Sequence, residues 1–170
     1  MKKVFTLVFV SAISFASLAQ KKESKAIFSI GVEGAMPSGS LSESHNFGIG
    51  ASAKIAMPVS NSAAFTISVG YISFSGKTVT ILGSNFKNDA FDIIPIKAGI
   101  RGSFDGGFYI EPQLGYTIFS SSNNNSGAFT YAPVIGFTTA SNVDFSFRYE
   151  SATKENSTLS HFGVRLAFGL

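Results

Sequence analysis

Between Phe91 and Phe119 the chain reads FDIIPIKAGIRGSFDGGFYIEPQLGYTIF. Large apolar residues recur at every second position on both sides of an Asp105-Gly106-Gly107 turn. One parity holds Ile94, Ile96, Ala98 and Ile100, then Phe108, Ile110, Pro112, Leu114, Tyr116 and Ile118. The other holds Lys97, Gly99 and Arg101, then Glu111, Gln113, Gly115 and Thr117. A period of two is that of a strand with one apolar face. Runs of about ten residues are the length a tilted strand needs to cross hydrocarbon. The apolar face is therefore expected to meet lipid, and the charged face to meet its own kind inside a closed sheet.

The N-terminus supports export. Lys2 and Lys3 precede an apolar run from Val4 to Phe15, and Ser17-Leu18-Ala19 offers small residues for cleavage. That order is the grammar of a signal peptide. It divides the chain into a leader (1–19), a short charged lead-in (20–26) and a barrel domain (27–170). No later stretch offers the eighteen or so uninterrupted apolar residues of a membrane helix. The chain has no cysteine, so disulfides, thiolate chemistry and cysteine-based zinc sites are excluded. The formal charge of +3 includes Lys2 and Lys3, and the remainder is close to neutral. With no basic patch or aromatic platform, nucleic acid is not an expected partner.

Eight segments have strand character: Ile27–Met36, Phe47–Met57, Ala63–Phe74, Phe91–Arg101, Gly107–Phe119, Ala128–Thr139, Val143–Ser151 and Ser160–Leu170. Their connections alternate between tight (Pro58–Ser62, Gly102–Gly106, Ala140–Asn142) and long (Pro37–Asn46, Ser75–Ala90, Ser120–Gly127, Ala152–Leu159). Short turns on one side and long polar loops on the other are the habit of outer-membrane barrels, and eight is their smallest common strand number. The fold expected is an all-β, eight-stranded, antiparallel up-and-down transmembrane barrel in the cell outer membrane. Ser121 to Ser126 reads as a solvated loop tip.

The large apolar residues set the phase of each strand, and charge placement tests it on the six that carry charges. With the large apolar residues turned outward, Glu33, Lys54, Lys97, Arg101, Glu111, Gln113, Asp144, Arg148, Glu150 and Arg165 all turn inward. Asp92 is left at the outer rim. A Lys or Arg facing lipid at mid-depth would cost about 2–4 kcal/mol, so the opposite phase is strongly disfavoured. Outward Tyr71, Tyr116, Tyr131 and Tyr149 fall at the long-loop ends. Outward Phe28, Phe65, Phe108, Phe137, Phe145 and Phe168 fall at the short-turn ends. Aromatic girdles at both interfaces are what a bilayer selects.

On these residues the chain resembles the family of small outer-membrane β-barrel domains, related in shape to the OmpA transmembrane domain and OmpX. The most specific stretches are Ile94-Pro95-Ile96-Lys97, Gly107 through Tyr116, and the closing His161 through Leu170. The resemblance implies the fold and the outer membrane, with no single activity. It also implies that the last strand is read by barrel-assembly machinery. In this chain Leu170 stands where the terminal aromatic is usual, with Phe168 two positions earlier.

The inward set can be read as an ion-paired plug, since an eight-stranded interior is just wide enough for side chains to fill. It can also be read as a narrow passive pore. A lipid-modifying barrel enzyme would need a nucleophile, a base and an orienting group within reach. Only His45 and His161 could serve as base, and neither shows ligand or triad spacing. No catalytic residue, metal site or cofactor is assigned. A soluble lipocalin-like barrel would bury large apolar residues inside, whereas the inward set is charged and small. The role expected is structural or interactive: outer-membrane lipid around the wall, and a possible extracellular partner at the long loops.

Overall fold

A computed structural model describes residues 25–81, 84–120, 126–154 and 157–170, with only the backbone described for 79–81, 84–87 and 157. The leader and most of the lead-in lie outside the described residues. So do Ser121 to Asn125.

Eight long strands close on one another. They are β1 (Ile27–Ser38), β2 (His45–Pro58), β3 (Ala63–Gly76), β6 (Phe91–Ser103), β7 (Phe108–Ser120), β8 (Ser126–Thr138), β9 (Val143–Lys154) and β10 (Ser157–Gly169). Each pairs antiparallel with its neighbours, and β1 pairs with β10 from Ser29↔Gly169 to Ser38↔Ser160. Closure leaves no unpaired edge, which is what a sheet in hydrocarbon requires. The alternation is visible in exposure: along β7, Phe108, Ile110, Leu114 and Tyr116 are exposed, while Tyr109, Glu111, Gln113 and Thr117 are buried. Asp105-Gly106-Gly107 makes the turn between β6 and β7. Both glycines there have positive φ (81° and 88°), and a Cβ on Gly107 would meet the Thr138 carbonyl oxygen at 2.3 Å.

The strands outrun the segments expected from apolar alternation, chiefly at the long-loop end. Hydrogen bonding continues into polar sequence because ladder pairing does not depend on an apolar face. The β9–β10 connection consequently shrinks to the two residues between Lys154 and Ser157, where an eight-residue loop was expected. Two small elements interrupt the other long loops. A single helical turn, α1 (Leu41–Ser44), joins β1 to β2, and the hairpin β4 (Thr78–Ile81) with β5 (Ser84–Lys87) rises between β3 and β6. The two loops are braced: Lys77 N–H donates to Ser44 O at 2.9 Å, Asn88 Nδ2 donates to the same oxygen at 3.1 Å, and Lys77 Nζ donates to Ser42 O.

The interior has two layers of different chemistry. Its middle and short-turn end are ionic. Its long-loop end is apolar: Ala35, Ile72, Phe74 and Ile93 point inward under Leu41 of α1, with Phe91, Phe119 and Leu159 packed against them. The expectation of an inward set that is only charged and small is corrected here. Above the level of Glu150 the turn α1 covers the lumen, and apolar side chains fill it without needing ionic partners.

Candidate functional site

Alternation carries all ten predicted interior residues into one lumen. Glu111 is at its centre, with no exposed surface. It accepts from Lys54 Nζ at 3.2 Å, Arg101 Nε at 2.9 Å, Thr66 Oγ1 at 2.8 Å and Gln113 Nε2 at 2.5 Å. Four donors around one carboxylate are what a buried charge demands in place of its lost hydration.

A second carboxylate, Asp144, sits nearer the short-turn end. Arg165 Nη1 reaches it at 3.3 Å and Arg101 Nη1 at 3.5 Å, while Tyr109 OH and Thr138 Oγ1 each donate at 3.0 Å. Arg101 also lies over the Tyr109 ring, 3.8 Å from its centroid. Towards the long-loop end, Arg148 bridges two strands' worth of acid: Nη2 to Glu33 at 2.5 Å and Nε to Glu150 at 3.0 Å. Lys97 Nζ donates to the same Glu150 oxygen. Arg165 joins the two groups, with Nε donating to Ser52 Oγ at 2.8 Å and standing 3.9 Å from Glu33 Oε1. The result is one connected run: Lys54, Glu111, Arg101, Asp144, Arg165, Glu33, Arg148, Glu150, Lys97.

Sequence reasoning missed Tyr109, Thr66 and His161 as parts of this lumen. Tyr109 follows outward Phe108, so its phase was readable, but only charged residues and Gln113 were collected into the inward set. His161 is buried, with Nε2 at 4.0 Å from Glu150 Oε2 and its ring edge-on to Phe74 at 5.5 Å. It marks the border between the ionic and apolar layers. The neighbouring hydroxyl is not aimed at it, because Ser160 Oγ donates to Ser151 Oγ at 3.1 Å. At the other histidine, Ser44 Oγ lies 2.8 Å from His45 Nδ1, and no carboxylate contacts that ring among the described residues.

The outer wall is apolar between its ends. Tyr71, Tyr116 and Tyr131 are exposed at the long-loop end, and Tyr149 packs beside Phe162 at 5.3 Å. Phe28, Phe65, Phe108, Phe145 and Phe168 are exposed at the short-turn end, with Phe137 against Phe108 at 5.0 Å. Phenylalanine also reaches the other girdle, through exposed Phe47 and Phe129. Outward tyrosine therefore segregates by end and outward phenylalanine does not. Asp92 lies at the rim, accepting from Tyr71 OH at 2.8 Å and Ser73 Oγ at 2.6 Å.

No protein-family model matches the chain, and no curated protein matches its sequence. Solved structures do match its shape. The attachment invasion locus protein Ail of Yersinia pestis aligns with a TM-score of 0.58 at 13% identity, covering 85% of this chain and 97% of Ail. The N-terminal β-barrel domain of OprF from Pseudomonas aeruginosa aligns at 0.53 and 9% identity, covering 85% and 97%. OprG, an outer-membrane protein of the same organism, aligns at 0.53 and 11%, covering 85% and 93%. The chain thus has the fold of the small eight-stranded outer-membrane barrels.

Proposed function

We propose that the protein is an outer-membrane barrel with a sealed interior, serving as a structural wall element that holds its loops outside for interaction. The observation that carries this reading is the unbroken ion-pair run across the lumen, beneath an apolar roof. An ion moving along the axis would have to break several buried charge pairs at once, and each broken pair leaves an uncompensated buried charge. The wall supports the location: exposed Val32, Ile96, Leu114, Ile135 and Leu166 form a belt that water would not tolerate and lipid would.

In this reading the short turns face the periplasm and the long-loop end faces out. Partners are lipid along the belt, assembly machinery at β10, and an extracellular partner at the braced loops around α1 and the β4–β5 hairpin. The role is not catalytic. The two Ser–His neighbourhoods support that, since Ser160 is committed to Ser151 and Ser44–His45 has no acid at the ring among the described residues. The deciding experiment is single-channel recording of the refolded protein in planar bilayers. A sealed lumen gives no steady openings; sustained conductance steps would defeat the proposal.

A further inference from the structure

The ion pairs leave the middle of the lumen incomplete. Ser68 is buried, only 8% exposed, and its hydroxyl has no hydrogen-bond partner among the described residues. It borders a cavity of about 20 Å³, together with Lys54, Lys97, Arg148 and Gln113. A space of that order holds one small particle, and a polar lining disfavours leaving it dry.

The donors around it are not used up. Lys54 Nζ contacts the Glu111 carboxylate and Lys97 Nζ contacts Glu150. Arg148 uses Nε and Nη2 for Glu150 and Glu33. An ammonium carries three donors and a guanidinium five, so each of the three cations keeps N–H groups to spare. Glu33 also borders the cavity, but its carboxylate is already held by Arg148 at 2.5 Å.

The charge balance points the same way. Five basic side chains (Lys54, Lys97, Arg101, Arg148, Arg165) share the lumen with four carboxylates (Glu33, Glu111, Asp144, Glu150). With every one of these side chains ionised, one positive charge is in excess, and a buried uncompensated charge is costly. We infer that this cavity is a site for one monovalent anion of halide size, held by Lys54, Lys97, Arg148 and the Ser68 hydroxyl. A water molecule would satisfy Ser68 and leave the excess charge. A cation would add to it. Sulfate would bring two negative charges where one positive charge is in excess.

The test uses the whole protein refolded in detergent and crystallised with bromide as the only halide. Anomalous diffraction at the bromine edge is expected to place a bromide ion in contact with Lys54, Lys97 and Ser68. A lumen with solvent density and no anomalous signal, or bromide at the surface alone, would overturn the site. In solution, the unfolding midpoint should be higher in sodium chloride than in sodium gluconate at equal ionic strength, and Ser68→Ala should shrink that difference. Equal midpoints for the unaltered protein would also count against it. The inference rests on the sealed-lumen reading, yet the two fail separately. Channel openings defeat the seal, whereas a non-conducting barrel without bromide defeats only the anion site.

Discussion

Arg148 and Glu33 meet at 2.5 Å inside the lumen, over the inner face of β10, although 115 positions separate them in the chain. The contact joins β9 to β1, two strands that do not pair with each other. It thus braces the barrel through its interior, in addition to the ladder hydrogen bonds around the wall. The same holds for Lys97 of β6 with Glu150 of β9.

Breaking one member of this run should cost more than deleting a pair. Glu150→Gln leaves Lys97 and Arg148 short of a partner and should destabilise the barrel by about 3–5 kcal/mol. Adding Lys97→Met to Glu150→Gln should restore part of the loss, since the stranded ammonium is gone. Equilibrium urea unfolding in lipid vesicles measures both. Additive losses would mean that the two side chains do not depend on one another.

The wall should punish charge by depth. Leu114 is outward near the middle of β7 and Ser120 lies at its long-loop end. Leu114→Arg should cost about 2–4 kcal/mol and Ser120→Arg about 0–1 kcal/mol in the same unfolding assay. Equal costs at the two positions would remove the argument for a hydrocarbon belt.

Tyr109 lies in a slot that only a glycine leaves open. A Cβ on Gly136 would meet the Tyr109 ring carbon Cζ at 2.3 Å. Gly136→Ala should therefore push the ring off Asp144 and cost about 1–3 kcal/mol by overpacking. In a Tyr109→Leu background the same substitution should cost clearly less. An unchanged penalty would place the conflict elsewhere.

The apolar roof makes a further prediction. Leu41 is a buried residue of α1 over Ile72, Phe74 and Ile93. Leu41→Ala should lower stability by about 2–5 kcal/mol, towards the low end if the braced loops settle into the gap. It should leave bilayer conductance at zero, because the ionic run lies beneath. Conductance in this variant alone would shift the seal from the charges to the roof.

The strands were legible because alternation marks all eight, and on the six that carry charges a second, independent signal agrees with it; β3 and β8 carry none. Alternation set the period, and the charges set which parity turns inward, as with Lys97 and Arg101 on β6 and Asp144, Arg148 and Glu150 on β9. What was not legible lies where those signals stop. The β4–β5 hairpin has four residues per strand, too few to show a period. One turn of helix at Leu41–Ser44 leaves no periodic trace either. The inward Ile72, Phe74 and Ile93 had readable phase, but a polar lumen was assumed to run its full length. Their position under α1 is a tertiary fact: a roofed end excludes water, so apolar filling is stable there. The β9–β10 strands extend to Lys154 and Ser157 through backbone pairing and a Thr153–Thr158 hydroxyl contact at 3.3 Å, which polar side chains in sequence do not advertise. His161 was weighed only as a candidate base, and Tyr109 was given no place although its parity turns it inward.

The claim beneath all of this is that lipid covers the apolar wall. The chain contains no tryptophan, so a single Leu114→Trp variant carries one unambiguous fluorophore. Refolded into vesicles whose lipids bear bromine near the middle of the acyl chain, its emission should be blue-shifted and strongly quenched. Unquenched, red-shifted emission from a correctly folded barrel would show water or protein against that face, and would contradict the account.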